Sequence, residues 1–112
     1  MKYQILSCLL LAAAASVASA DYTETGKITQ IMAEGDNRVS VYLDGADNTS
    51  ECSGGGRWTL ELGADPLFEA KYAAILAAAS AGQTVTFRYV SSRGCGIFNG
   101  SRIYLVSVKY GQ

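Results

Sequence analysis

A single helical stretch, Pro66 to Ala81, interrupts a chain that otherwise alternates with the two-residue period of β-strands. Within it Phe68, Tyr72, Ile75, Leu76 and Ala79 share one helical stripe, which predicts an amphipathic helix with that stripe on a core. Asp65 stands at the expected N-cap, Pro66 at the first helical position, Glu69 in the opening turns and Gly82 at C′.

Three strands are expected before the helix. Gly26 to Met32 is the first, and because Ile28 and Ile31 are three apart, both face inward only across a bulge. A turn at Glu34 to Asn37 leads into Arg38 to Asp44, with Val39, Val41 and Leu43 on one face and Ser40, Tyr42 and Asp44 on the other. After a polar loop from Gly45 to Gly56, Arg57 to Leu62 is the third strand, with Trp58, Leu60 and Leu62 inward. Beyond the helix, Thr84 to Val90 turns Val85, Phe87 and Tyr89 to one side. Ser101 to Tyr110 places Ile103 and Leu105 on one face and Tyr104, Val106, Val108 and Tyr110 on the other, unless a bulge near Ser107 re-aims them.

The result is a mostly β chain with one α-helix, in the order β-β-β-α-β-β of the five-stranded OB-fold barrel. Barrel closure would protect strand edges that one helix cannot cover, and an open α+β roll is the alternative. Residues 1–20 read as a secretory signal peptide: Lys2, an apolar run from Ile5 to Val17, then the small-residue site Ala18-Ser19-Ala20. The run is shorter than the roughly 20 residues a bilayer span needs, so no membrane insertion is expected. Residues 21–112 then form a single OB-fold-like domain, secreted or periplasmic. Export removes Cys8 and leaves Cys52 and Cys95, best read as one structural disulfide. Two thiols cannot build a four-cysteine zinc site, and they are not spaced as a redox pair.

The chain has no histidine, which excludes Ser/His/Asp and Cys/His catalysis and histidine-ligated metals. All ten acidic residues lie between Asp21 and Glu69, whereas Lys71, Arg88, Arg93, Arg102 and Lys109 follow with no acid among them. Scattered bases do not make a nucleic-acid site, so two halves interleaved in one domain are favoured and nucleic acid is not expected as a partner. Asp44, Asp47, Asn48 and Glu51 lack the spacing of a calcium loop and suit turn chemistry better, so no metal and no cofactor are expected. The sequons Asn48-Thr49-Ser50 and Asn99-Gly100-Ser101 are expected to stay bare in a bacterial host.

The export signal, the strand order and the stretch Phe68 to Phe87, in which the helix ends in Ala81-Gly82-Gln83-Thr84-Val85, resemble the B subunits of bacterial AB-type toxins, in particular the subtilase cytotoxin B-subunit group. The resemblance implies a pentamer that binds sialylated glycans on the barrel side, and it assigns no individual binding residue. From the residues themselves, Ser40, Tyr42 and Asp44 on the outer face of the second strand, with Arg57, Arg88 and Tyr104, are the candidate ligand-binding residues. Trp58 shares a face with Leu60 and Leu62 and is read as core rather than as a stacking platform. The chain is thus expected to be a binding module for a glycan. The alternative is a protein-interaction or inhibitor protein, and an apolar last-strand face would suit a homo-oligomeric ring. No catalytic residue is expected, Glu61 with Asp65 being the one acid pair available for hydrolysis.

Overall fold

The computed structural model describes residues 21–45 and 51–110. The signal-peptide reading of residues 1–20, Asp47 and the sequon at Asn48 lie outside them. Two 3₁₀ turns and seven regular elements follow in order: β1 (Tyr22–Glu34), β2 (Arg38–Leu43), β3 (Trp58–Glu61), α1 (Phe68–Ala81), β4 (Thr84–Tyr89), β5 (Ser101–Arg102) and β6 (Leu105–Val108). The protein is mostly β with one helix, and the strands form one six-stranded sheet in the order β5-β3-β2-β1-β4-β6.

β1 organises the sheet. Its first half pairs with β4, from Tyr22 opposite Tyr89 to Lys27 opposite Thr84, and its second half pairs with β2, from Ile28 opposite Leu43 to Glu34 opposite Arg38. The register shifts between Ile28 and Gln30, where the bulge is expected, and both Ile28 and Ile31 pack against the core. One strand can serve two partners in this way because the bulge sharpens its twist.

The last expected strand is broken in two. Ile103 N–H donates to Thr59 O (3.0 Å), and the next residue, Tyr104, donates its N–H to Arg88 O (2.8 Å), so successive residues pass from β3 to β4. β5 runs parallel to β3, and β6 runs antiparallel to β4. The break resets the alternation: Ile103 is fully buried, Val106 and Val108 pack inward, and Tyr104, Leu105 and Tyr110 face outward. The continuous apolar face Tyr104-Val106-Val108-Tyr110 expected from the sequence therefore does not exist. Leu62 is also outside, 48% exposed, because β3 ends at Glu61.

The helix starts two residues later than expected. Leu67 adopts the left-handed conformation (φ 58°) before Phe68, and Asp65 does not cap it; its carboxylate accepts the Glu61 N–H instead (2.7 Å). Seven of the fourteen residues from 68 to 81 being alanine, propensity favours the helix all round, and packing rather than pattern selects the buried side. That side is Ile75 and Ala78, with Phe68 and Tyr72 half-buried, while Leu76 is 42% exposed. Gly82 ends the helix at φ 63°, with Gly82 N–H on Ala79 O and Gln83 N–H on Ala78 O, the paired bonds of a Schellman stop.

Val39, Val41, Leu43, Leu60, Val85, Phe87, Tyr89 and Ile103 close around Trp58, which is fully buried. Trp58 meets Phe87 edge-on (centroids 5.4 Å) and stacks with Tyr22 (6.1 Å). Its indole N–H donates to Glu24 Oε1 (2.7 Å), and Tyr22 O–H donates to the other oxygen (2.6 Å), which satisfies a carboxylate that burial would otherwise penalise. The acid-rich and base-rich halves interleave within the chain: Arg88 pairs with Asp21 (3.2 Å), and Arg102 pairs with both Glu61 and Asp65 (3.3 Å each). Among the described residues no helix is long and apolar enough to cross a membrane.

Candidate functional site

The outer face of β2 and β3 is where polar and aromatic groups converge. Ser40 lies opposite Thr59 in the ladder, and both are buried although they point away from the core. What covers them is the segment between β4 and β5. Gly96 and Gly100 rest directly on Thr59, since a Cβ on either would come closer than 3.0 Å to its side chain. Cys95 is tied to Cys52, with their Cα atoms 5.7 Å apart, so the expected disulfide anchors this covering loop to the segment ahead of β3.

Arg57 occupies the centre of the face. Its Nη1 donates to Ser40 Oγ (2.7 Å) and reaches Glu34 Oε1 at 4.0 Å. The guanidinium lies against two rings, Tyr42 at 5.6 Å and Phe98 at 4.9 Å, both within cation–π range. Phe98 is 61% exposed and, with Asn99, adopts the left-handed conformation (φ 51° and 56°) that side-chain-bearing residues rarely take. Asn99 Nδ2 donates to Ser53 Oγ (3.2 Å), which helps hold the turn. A large apolar ring kept outside on a strained backbone is spent on something other than core packing.

Ser40, Tyr42 and Arg57 are thus brought together. The remaining expected site residues are elsewhere. Asp44 is exposed at the end of β2, where its N–H donates to Lys27 O. Arg88 is on β4, held by Asp21, whose other oxygen accepts Ser91 N–H (3.1 Å). Tyr104 lies beside Arg88 at the handover between β5 and β6, and Lys71 Nζ sits 5.8 Å over its ring. The six residues are therefore a trio, a pair and the separate Asp44 rather than one site. Phe98 was not indicated by periodicity, because it sits in a loop; the available signal was a lone aromatic among Gly94, Gly96 and Gly100 beside a half-cystine.

Two further readings are resolved by geometry. Trp58 is core and offers no face to a ligand. Glu61 and Asp65 are both engaged by Arg102, and Asp65 is buried, so they do not form a free acid pair flanking a substrate. Glu51 accepts the Tyr89 hydroxyl (2.9 Å), and among the described residues no three acidic or cysteine side chains are placed to hold a metal.

Compared with known proteins, the chain matches no protein-family model, no curated protein and no solved structure.

Proposed function

We propose that this protein is an exported binding module of OB type, and that Tyr42, Arg57 and Phe98 form its ligand face, with a glycan as the ligand. The observation that carries this reading is the guanidinium of Arg57 set between the Tyr42 and Phe98 rings, with the Phe98 ring left mostly in solvent on a strained backbone. Exposed ring faces suit the C–H faces of sugars, and a forked donor beside them suits sugar oxygens. A rigid platform of this kind binds at low entropic cost, because the disulfide and two close-packed glycines already hold the loop.

Three findings support the architecture. The bulged β1 shared between β2 and β4, the helix between β3 and β4, and the handover of residues 103–104 from β3 to β4 are the connections an OB barrel requires. The disulfide suits an oxidising compartment. Glycan binding also agrees with the resemblance to toxin B subunits. Screening the mature protein on a glycan array, then titrating any hit against Phe98→Ala and Tyr42→Ala, tests the proposal. A hit that both variants weaken is expected; no hit, or a hit indifferent to both, refutes it.

A second reading rests on Tyr104, Leu105 and Tyr110, which are 49%, 40% and 72% exposed and suit a protein partner. Capture of one defined partner that is lost in Leu105→Asp, with a silent glycan array, would favour it. The ring reading has less behind it. Val106 and Val108 turn inward, and the charges of the two halves are already paired within one chain.

A further inference from the structure

A second concavity lies away from the Arg57 face, between the start of α1 and the β5–β6 segment. It has a volume of about 580 Å³, within the range of small-molecule sites. Leu67, Ala70 and Ala74 form one wall, and Ile103, Leu105 and Val106 form the other. Leu67 is 73% exposed in a left-handed conformation at the lip, so the chain spends backbone strain to keep an apolar side chain there.

The polar lining is unbalanced. Lys71, Arg93 and Arg102 face a single lining carboxylate, Asp65, which Arg102 already engages. Lys71 Nζ donates to a neutral acceptor, Ile103 O (3.1 Å), and Arg93 Nη2 to another, Ala64 O (3.3 Å). Among the described residues neither cation has a carboxylate within 4.0 Å. Burial holds the Lys71 ammonium below its ordinary value; Asp65 opposes that shift, and the nearby Arg93 charge adds to it. Two cations that repel each other beside an apolar cleft constitute a place for an anion.

We propose that this cleft binds a small amphiphile carrying one carboxylate and an unbranched apolar body, with the carboxylate at Lys71 and Arg93 and the body between Ala74 and Val106. The ligand's charge would offset the repulsion between the two cations, and its hydrocarbon would cover walls now facing water.

Octanoate is a suitable probe, titrated calorimetrically at neutral pH into the mature, disulfide-bonded protein. Saturable binding is expected, weakened about tenfold in Arg93→Gln, the usual scale for losing one charge-assisted hydrogen bond. Arg93 is exposed, so this variant should keep its fold. Ala74→Leu, which narrows the cleft without touching a charge, should weaken binding at least as much, its helicity being checked by circular dichroism. Octan-1-ol should bind about tenfold or more weakly, because it lacks the charge. Octanol binding as tightly as octanoate, Arg93→Gln leaving affinity unchanged, or no saturable heat would each overturn the proposal. Vesicles containing an anionic phospholipid form the last arm: pelleting with vesicles but no binding of free octanoate would assign the cations to a lipid surface and overturn it too.

Discussion

Placing a methyl group at Gly96 tests whether the covering loop is held where the structure puts it. The Gly96 backbone (φ −93°, ψ −154°) is extended rather than left-handed, so the substitution meets no positive-φ strain. On flexibility alone Gly96→Ala would stabilise the fold by about 0.4–1 kcal/mol, through a stiffer unfolded chain. Sterically it cannot fit: the new Cβ would overlap Thr59 Oγ1 and approach Thr59 Cβ to 3.3 Å. Thr59 is fully buried on a central strand and has nowhere to move. Overpacking of this kind costs about 1–3 kcal/mol, so a net loss of about 1–2 kcal/mol is expected. Thr59→Ala removes the obstructing atoms and should by itself cost about 1 kcal/mol of lost burial. Because Thr59 Oγ1 has no hydrogen-bond partner among the described residues, that loss contains no broken bond. The double variant should therefore be more stable than the sum of the singles by about 1 kcal/mol or more. Urea unfolding of the four proteins with the disulfide intact measures this coupling. Additive effects, or a Gly96→Ala protein as stable as its parent, would show that the loop does not rest on β3 and would detach Phe98 from the Arg57 face.

Ile75→Ala should cost about 2–5 kcal/mol and Leu76→Ala less than about 1 kcal/mol, since the first is fully buried and the second is 42% exposed; urea midpoints in the reverse order would put the wrong side of α1 on the core. Burial, with the hydrogen bond to Glu51 second, pushes the Tyr89 phenol up to about 12. Its neutral form is thus favoured by folding; that contribution is complete below the ordinary value of about 10 and is lost as pH rises through about 12. Ultraviolet titration should show one tyrosine ionising after the rest, earlier in Glu51→Gln, and uniform ionisation near pH 10 would count against the buried assignment. Cys52 and Cys95, 43 residues apart, should make reduction cost about 4 kcal/mol by loop entropy, and thiol labelling of unreduced, unfolded protein prepared from Asp21 onward, without Cys8, should find no free group; two reactive thiols would dispose of the staple.

Where neighbouring residues decide the structure, the sequence was readable. Val39, Val41 and Leu43 alternate and are buried, and Ile28 and Ile31 demanded a bulge that lies between Ile28 and Gln30. Gly82 could only be a stop. Reading failed where tertiary pairing overrides local pattern. In an alanine-rich helix the stripe containing Leu76 and the side containing Ala78 are equally plausible, and the choice falls to the sheet beneath. Leu105 and Val106 exchanged roles because Ile103 bonds to β3 and Tyr104 to β4, a handover that no period within residues 101–110 records. Asp65 has the right spacing for a cap, yet an ion pair with Arg102 and a bond to the Glu61 amide keep it elsewhere.

The same division separates the two candidate sites. Ser40 and Tyr42 were visible because a strand's outward positions can be counted, and Arg57 because it opens the next strand. Phe98 and Arg93 sit in the segment between β4 and β5, where side-chain direction is set by left-handed residues and by the disulfide rather than by periodicity. Only the fold places that segment across the β2–β3 face, with Phe98 on Arg57, and next to the start of α1, with Arg93 beside Lys71. One loop, anchored once by Cys95 and packed through Gly96 and Gly100, therefore supplies a residue to each site. Loosening it should disturb both, whereas a substitution confined to either end should disturb one. Reduction of the Cys52–Cys95 bond should therefore weaken both proposed binding events together, over and above its cost in stability.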